Sequence, residues 1–272
     1  MKTLLICHEG ALLNREGLSR WLASFSDLVG VIILHDSRHR IWGQLRREIK
    51  RVGPLRFLDV AAFRIYYRLF LSQADSLWET RKLAELQSLY PEIRADIPIL
   101  HTASPNTSEV EQFIRETSPD IMIARCKMLL KESIFSIPTH GTFVLHPGIC
   151  PEYRNSHGCF WALVKDDLNN IGMTLLRIDK GVDTGPVYGY YSYKFDERTE
   201  SHTIIQQRVV FENLEALRAK LVVICAGAAI PLDSSGRSSA TWGAPWLTAY
   251  LSWKRKARQR SKCGSFHSIT TM

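Results

Sequence analysis

The sequence predicts an α/β protein built on a mostly parallel β-sheet flanked by helices. Short apolar runs alternate with amphipathic segments along most of the chain, which is the pattern of successive strand–helix–strand units. The 272 residues, 45% of them hydrophobic, are enough to bury a substantial core. We place one domain over residues 1–230, with a helical insertion at about 37–90. A polar, basic extension over 231–272 is expected to be partly disordered.

The first elements form a strand–helix–strand unit. Thr3 to Cys7 is an apolar strand, Arg15 to Ser24 is a helix with one apolar face, and Leu28 to Leu34 is a second strand. The connecting sequence CHEGALLNREG has no G-x-G-x-x-G pattern, because only Gly10 precedes the helix. A dinucleotide site therefore has little support.

A basic and aromatic stretch follows from Asp36 to about Tyr90. Its period is helical, it is interrupted at Gly53 and Pro54, and it contains no convincing strand. We interpret it as a helical insertion with two open roles. It carries substrate specificity or a partner surface, or it only packs as a cap over the sheet.

Strands and helices alternate again after the insertion. Ile97 to His101 and Asp120 to Ala124 are apolar strands, and Ser108 to Glu116 is a helix with acidic residues in its first turn, where the helix dipole favours them. A further strand, Gly141 to Leu145, delivers His146 at its carboxyl end. Open α/β sheets place their ligand crevice at this end of the strands.

The remaining elements lead to the C-terminal extension. A short helix from Phe160 to Val164 precedes a strand from Gly172 to Ile178, and a longer helix follows from about Ser201 to Ala219. Beyond Pro231 the composition turns to Ser, Gly, Thr and Pro and then to Lys and Arg. We expect order to fade there.

The formal net charge of +8 is concentrated in two basic clusters. We interpret them as a basic helix face and a solvated tail, with a site for anionic ligands, nucleic acid or a membrane surface as the open alternative. Their members are Arg38, Arg40, Arg46, Arg47, Lys50, Arg51 and Arg56 in the first cluster and Lys254, Arg255, Lys256, Arg258, Arg260 and Lys262 in the second.

Cysteine usage and hydropathy predict the compartment. The six cysteines contain no C-x-x-C pair, so we expect reduced thiols, no structural zinc and a cytoplasmic protein. Met1 to Cys7 lacks the apolar length of a signal peptide, and the apolar run from Leu221 to Leu232 is too short to cross a bilayer. No membrane-spanning segment is expected.

His146 and Asp183 are the candidate catalytic residues. Each follows a predicted strand, and nearby Pro and Gly residues fix the backbone beside it. A carboxylate can orient an imidazole or hold an attacking water, so the two side chains together can relay protons.

Two longer motifs contain this pair. HPGICPEYRN runs from His146 to Asn155, and IDKGVDTGPVY runs from Ile178 to Tyr188. Together they resemble the signature of the folate-dependent formyltransferase family, H-P-x-x-x-P-x-Y-R-G followed by D-x-G-x-D-T-G-P. The resemblance is good over roughly 97–190, loose over the first strand–helix–strand unit, weak over the insertion and absent after about 226.

The resemblance implies a Rossmann-like formyltransferase fold that moves a formyl group from 10-formyltetrahydrofolate to an amine without a metal. In the family, the histidine that matches His146 polarises the formyl carbonyl. The aspartate that matches Asp183 handles protons through a bound water.

The resemblance also implies where the folate lies. Met128, Leu129 and Leu130 match the family's pterin-binding loop, and the turn that begins at Asp179 would offer backbone groups to the other edge of the pterin. An apolar slot with backbone donors and acceptors suits a flat heterocycle with a hydrogen-bonding edge.

One position departs from the family pattern. The family has Asn two residues before the histidine, on the same strand face, where this chain has Val144. Loss of one oxyanion donor typically costs about 100- to 1,000-fold in rate, which does not by itself abolish catalysis. Asn155 and His157 are the candidate replacement donors. With Tyr153 and Arg154 they are also candidate substrate contacts, unless these residues only shape the loop.

The acceptor is expected to be a small amine. Initiator-tRNA formyltransferases carry an additional β-barrel domain, and the residues after Pro231 are too few and too polar to build one. We therefore expect a small-molecule substrate and no nucleic acid, with a homodimer left open.

Two other functions also stay open. One is hydrolysis of the formyl donor or transfer of another one-carbon or carbamoyl group, and the other is a catalytically silent folate- or ligand-binding protein.

Overall fold

The computed structural model describes residues 1–35 and 48–262, and this part of the chain contains nine strands. In chain order they are β1 (Lys2–His8), β2 (Asp27–Leu34), β3 (Ile99–Thr102), β4 (Ile121–Arg125), β5 (Gly141–His146), β6 (Arg154–Asn155), β7 (Met173–Arg177), β8 (Val187–Tyr191) and β9 (Thr241–Trp242). The sequence analysis did not predict β6, β8 or β9.

Seven strands form one sheet in the order β3-β2-β1-β4-β5-β7-β8. The first five are parallel to one another, whereas β7 and β8 run antiparallel to their neighbours. Alternate side chains of β1 enter two separate apolar cores, Leu5 and Cys7 on one face and Leu4 and Ile6 on the other. Both faces of the sheet are therefore covered, and the predicted α/β fold is confirmed.

Helices connect the strands. In chain order they are α1 (Ser19–Ala23, preceded by a π-helical turn at Leu13–Leu18), α2 (Pro54–Phe70), α3 (Ser72–Leu89), α4 (Ser108–Thr117), α5 (Glu132–Phe135), α6 (Gly158–Lys165), α7 (His202–Phe211), α8 (Leu214–Cys225) and α9 (Leu247–Lys262). The prediction of one helix from Ser201 to Ala219 is wrong. The chain leaves helical geometry at Asn213, whose amide donates to the carbonyl oxygens of Ser192 and Val209.

The predicted insertion is largely helical over residues 48–89, and its first part, up to residue 47, lies outside the described residues. Helix α2 begins where the sequence indicated a break, because Gly53 has a φ of 80° and Pro54 occupies the first helical turn. Phe63 of α2 is buried beside the rings of Phe160 and Tyr250. This helix is therefore part of the packed fold.

The expected loss of order after Pro231 is wrong as far as residue 262. Strand β9 pairs with β6, and helix α9 packs on α2 and α6. Trp253 of α9 is completely buried. The composition was misleading because aromatic residues lie among the Ser, Gly and Thr residues, and their burial offsets the entropic cost of ordering the segment. Residues 263–272 lie outside the described part of the chain.

Part of the basic cluster on α9 is bonded to the rest of the fold, which corrects the interpretation of a solvated tail for Lys254, Lys256 and Arg260, whereas Arg255 and Arg258 are exposed. Arg260 forms ion pairs with Glu197 and Asp166. Lys254 donates to the backbone carbonyl oxygens of Glu197 and Glu200 at 2.6 and 2.8 Å. In the first cluster, Arg38, Arg40, Arg46 and Arg47 lie outside the described residues.

The cysteines of the described chain are free thiols that pack in the interior or at its edge, and Cys263 lies outside that part. Burial raises the pKa of Cys7 and of Cys159 to about 12, so both remain protonated packing groups. Over residues 1–35 and 48–262, no helix has the length and apolar character needed to cross a bilayer.

Candidate active site

The site lies where β1, β4 and β5 end. These parallel strands finish at His8, Arg125 and His146 on the same edge of the sheet, which is where α/β proteins place their ligand crevice. Strand β7 runs antiparallel to β5 and ends opposite Phe143. The turn after β7 must therefore fold back along β5 to bring Asp183 to His146.

His146 is buried and held on both sides of its imidazole ring. Its Nε2 lies 2.8 Å from the carbonyl oxygen of Tyr153, and its Nδ1 lies 3.5 Å from Oδ2 of Asp183. Because a carbonyl oxygen can only accept, the Nε2 atom carries the proton of the neutral ring. The nitrogen that faces the site and the carboxylate is therefore Nδ1.

Two glycines allow the loop after His146 to lie close to the imidazole. A Cβ atom on Gly148 would come within 2.6 Å of the Tyr153 carbonyl oxygen and 2.8 Å of His146 Nε2. A Cβ atom on Gly158 would come within 2.6 Å of the Gly148 Cα atom. Any side chain at either position would displace the carbonyl group that anchors the histidine.

Asp183 is held by a backbone hydrogen bond. Its Oδ2 atom accepts from the backbone N–H of Asn155 at 2.7 Å, and its side chain is 15% exposed. Asp183, Asn155 and His157 adopt φ values of 51°, 70° and 60°, in the left-handed region that favours glycine. Strained conformations of this kind concentrate where the surrounding structure fixes functional groups.

The turn before Asp183 is shaped by Asp179. One oxygen of its carboxylate accepts from the Gly181 backbone N–H at 2.9 Å and from the Thr184 hydroxyl at 2.8 Å. The Asp179 side chain thus holds the turn closed. Folate recognition by its backbone groups stays a prediction.

The predicted pterin loop follows β4 and is clamped from two directions. The Asn106 side chain donates to the Leu129 carbonyl oxygen at 2.9 Å and accepts from the Lys131 N–H at 2.7 Å. Lys127 donates its N–H to His8 Nε2 at 3.1 Å. The Leu129 side chain is 67% exposed on this fixed backbone.

The other two residues of the predicted slot face the protein interior. Met128 is half-buried and Leu130 is buried, and both belong to the apolar cluster that contains Ile6 and Met122. Leu129 is therefore the member of the three whose side chain is free to contact a flat ligand.

Four residues predicted as substrate contacts lie in the segment between His146 and α6, and three of them contact other parts of the protein. Tyr153 donates its hydroxyl to Asp167, and Arg154 donates to the carbonyl oxygen of Val182 at 3.0 Å. The amide of Asn155 donates to the carbonyl oxygen of Trp242. These contacts shape the loop, and contact of the three side chains with a substrate stays a prediction.

His157 has an uncommitted nitrogen. Its Nδ1 atom is buried and has no hydrogen-bond partner among the described residues. Burial, together with the charges of Lys127 and Arg64, lowers the pKa of His157 to about 4, so the ring is uncharged at neutral pH. Because the Asn155 side-chain amide is already bonded to the Trp242 carbonyl oxygen, His157 is the less committed of the two candidate replacement donors. Val144 itself is half-buried on β5.

The sequence analysis missed Arg125 at the end of β4. Its guanidinium donates to the Leu145 carbonyl oxygen, which directly precedes His146, and to the side chains of Asn14 at 3.3 Å and Gln207 at 3.5 Å. Burial lowers its pKa to about 10. The signal in the sequence was a charged residue at the end of an apolar strand. The Arg125 side chain connects β5, the π-helical turn before α1, and α7 through these three hydrogen bonds.

No cluster of three or more His, Cys, Asp or Glu side chains in the described ranges is arranged to hold a metal ion. The polar groups gathered at the site are an imidazole, a carboxylate and backbone donors. They suit proton transfer and stabilisation of a developing oxyanion.

Known proteins share both the sequence pattern and the fold. A family model described as formyl transferase matches residues 72–221, more than half of the chain, and this range includes His146 and Asp183. The chain therefore belongs to the formyl transferase family.

Curated relatives match the chain over part of their length. Bifunctional polymyxin resistance protein ArnA from Wigglesworthia glossinidia brevipalpis is 28% identical over 42% of this chain and 18% of that protein. Methionyl-tRNA formyltransferase from Caldanaerobacter subterraneus subsp. tengcongensis is 28% identical over 56% of this chain and 49% of that enzyme. The chain thus spans half or less of the length of these relatives.

A solved structure shares the overall architecture. The sugar N-formyltransferase from a Shewanella species superposes with a TM-score of 0.54 at 11% identity, covering 94% of this chain and 87% of that one. Similarity at this level of identity concerns the fold alone.

Proposed function

We propose that the protein transfers a formyl group from 10-formyltetrahydrofolate to the amino group of a small molecule. The observation that carries the proposal is the buried His146–Asp183 pair, 3.5 Å apart, inside the range that matches the formyl transferase family. The exposed Leu129 side chain on its clamped loop would contact one face of the pterin.

His146 would act through Nδ1. Its Nε2–H is anchored on the Tyr153 carbonyl oxygen, so a second proton on Nδ1 gives an imidazolium that can donate to the formyl oxygen as negative charge develops there. The carboxylate of Asp183 stabilises this charged ring. Val144 leaves one donor fewer than the family pattern has, and the Nδ1 nitrogen of His157 would compensate.

Asp183 would move the proton that the reaction releases. The acceptor nitrogen forms a bond with the formyl carbon, and the bond between that carbon and N10 of the folate breaks. The proton lost by the acceptor passes through a bound water to the Asp183 carboxylate and then to N10, so charge and atoms balance. The backbone N–H of Asn155 holds the carboxylate in place for both transfers.

The engagement of part of the C-terminal basic cluster within the protein favours a small acceptor over tRNA. Lys254 and Arg260, which belong to the basic C-terminal cluster, are engaged with Glu197, Glu200 and Asp166 and do not form a free basic surface. Methionyl-tRNA formyltransferases among the relatives make tRNA the second candidate. A tRNA acceptor would give strongly salt-dependent binding, whereas a small amine would not.

The test is transfer of label from 10-formyltetrahydrofolate, labelled in the formyl group, to a panel of amines and to aminoacylated initiator tRNA. The proposal expects labelled small-amine product with the wild type. An Asp183→Asn variant should be slower by about 100-fold or more because it lacks the proton acceptor. The control is Asp233→Asn, at an exposed loop residue that has no contact with His146 or Asp183, and its rate should match that of the wild type. Tetrahydrofolate release that needs no acceptor would instead indicate a hydrolase, and no turnover with folate bound would indicate a silent protein.

A further inference from the structure

The loop segment 153–155 joins the catalytic pair to the C-terminal part of the chain. On the side of the site, the Tyr153 carbonyl oxygen accepts a hydrogen bond from His146 Nε2 at 2.8 Å, and the backbone N–H of Asn155 donates to Asp183 Oδ2 at 2.7 Å. Arg154, the residue between Tyr153 and Asn155, donates from its guanidinium to the Val182 carbonyl oxygen at 3.0 Å. Three consecutive residues thus set the positions of both catalytic side chains.

The opposite side of segment 153–155 rests on residues 240–242. Strand β6 pairs with β9, and the Arg154 N–H donates to the Ala240 carbonyl oxygen at 3.1 Å. The Arg154 guanidinium also reaches the Thr241 hydroxyl at 3.1 Å, and the Asn155 amide donates to the Trp242 carbonyl oxygen. Each residue of β6 is therefore bonded to the catalytic pair or its turn on one side and to β9 on the other.

Trp242 fixes this arrangement through its side chain. Its indole stacks on the rings of Tyr153 and Trp161, with centroid distances of 5.9 and 5.1 Å and interplanar angles of 21° and 23°. Its Nε1–H donates to the Glu152 carbonyl oxygen at 2.9 Å, and Lys165 Nζ lies 4.9 Å from its ring centroid. The stack and the hydrogen bond hold the backbone that carries the Tyr153 carbonyl.

We propose that Trp242, which lies outside the matched range 72–221, is a positioning residue for the His146–Asp183 pair. It acts through segment 153–155 and does not touch the reacting atoms. Catalytic groups must be held to within fractions of an ångström, and a displacement of about 1 Å can reduce the rate by about 100-fold. Residues 240–242 then belong to the catalytic apparatus and not only to the packing of the C-terminal segment.

The experiment compares Trp242→Ala and Trp242→Phe with Trp253→Phe. Trp253 is a matched control, because it is a buried tryptophan of the same C-terminal segment whose Nε1–H donates to Glu197 at 2.7 Å, away from the pair. The first readout is hydrogen exchange of the backbone N–H of Asn155, measured by NMR relative to the backbone N–H groups of β5. The second is the effect on kcat and on KM for the formyl donor, and only this readout rests on the proposed function.

In the Trp242→Ala variant, the backbone N–H of Asn155 should exchange at least about ten-fold faster than in the wild type. The kcat should fall by about 10- to 100-fold, with KM nearly unchanged. Trp242→Phe keeps the stack and loses one neutral hydrogen bond, so its kcat should fall by less than about five-fold. Trp253→Phe should change neither readout. Unchanged exchange at Asn155 in Trp242→Ala, or an equal loss of kcat in Trp253→Phe, would overturn the inference. A wild type without transfer activity would count against the proposed function, and the exchange measurement would still decide the role of Trp242.

Discussion

At His146, two contacts decide which nitrogen can act on a substrate. The Tyr153 carbonyl oxygen fixes the proton on Nε2, and Nδ1 faces Asp183. The neighbouring position on the same strand face is Val144, which cannot donate a hydrogen bond. The site therefore keeps the two residues to which we assign proton transfer and has valine where the family pattern has asparagine.

Restoring that donor should increase the rate. Val144 is half-buried between Ala124 and Leu176 on neighbouring strands, so Asn at this position can reach the space beside His146. We expect Val144→Asn to raise kcat by about ten-fold, less than the 100- to 1,000-fold that removal of such a donor costs, because the surrounding pocket is built around an apolar group.

Val144→Ala is the control for this substitution, since it provides space without a donor. Steady-state kinetics of formyl transfer give the comparison. A lower rate for Val144→Asn, or an equal gain for both variants, would contradict the assignment of position 144 to the oxyanion.

Among the elements, the junction of α6 and α7 contains two uncharged histidines. His157 precedes α6 and His202 begins α7, and their rings lie 6.0 Å apart. Burial lowers the pKa of His202 well below its usual value, with the nearby His157 and Lys254 acting in the same direction. The Nδ1 atoms of both rings lack hydrogen-bond partners among the described residues.

This junction predicts a loss of stability in mild acid. In the unfolded chain both histidines take up protons as the pH falls through about 6.5, whereas folded His157 does so only near pH 4 and burial also holds the pKa of folded His202 well below its usual value. The unfolded state binds more protons below pH 6.5, so the free energy of unfolding falls as the pH falls from about 6.5 towards 4, the value near which folded His157 takes up its proton.

Urea unfolding at several pH values between 7 and about 4.5 measures this slope. A His202→Gln variant, which cannot take up the proton, should have a shallower slope, and His101→Gln at an exposed position should keep the slope of the wild type. Equal slopes in all three proteins would contradict the account of the junction.

The sequence predicted most local elements and missed partnerships between distant segments. Motifs and strand ends are local, so they indicated that His146 and Asp183 belong to one site, and the structure places the two side chains 3.5 Å apart. Their roles and that of the loop at Leu129 stay predictions. Strand β9 and the order of α9 were missed because they depend on pairings such as Asn155 with Trp242, 87 residues apart. Arg125 was missed because its three partners come from separate elements.

For the molecule as a whole, the C-terminal segment is part of the folded unit. Trp253 is completely buried, and its Nε1–H donates to Glu197, which also pairs with Arg260. Trp253→Ala should lower the free energy of unfolding by about 3–5 kcal/mol because it leaves a large cavity. Leu251→Ala, at a residue that is 45% exposed on the same helix, should stay within about 0.5 kcal/mol of the wild type. Chemical denaturation gives both values, and a Trp253→Ala protein as stable as the wild type would mean that α9 does not contribute to the core.

Binding of the formyl donor is the property on which the whole account depends. The measurement is calorimetry with a non-transferable analogue of 10-formyltetrahydrofolate, applied to the wild type, to Leu129→Asp and to Leu69→Asp. Leu129 and Leu69 are 67% and 69% exposed, so both variants should fold, but only Leu129 lies on the predicted pterin loop. The account predicts saturable binding by the wild type and by Leu69→Asp, and loss of binding in Leu129→Asp. No binding by the wild type, or equal binding by all three proteins, would contradict it.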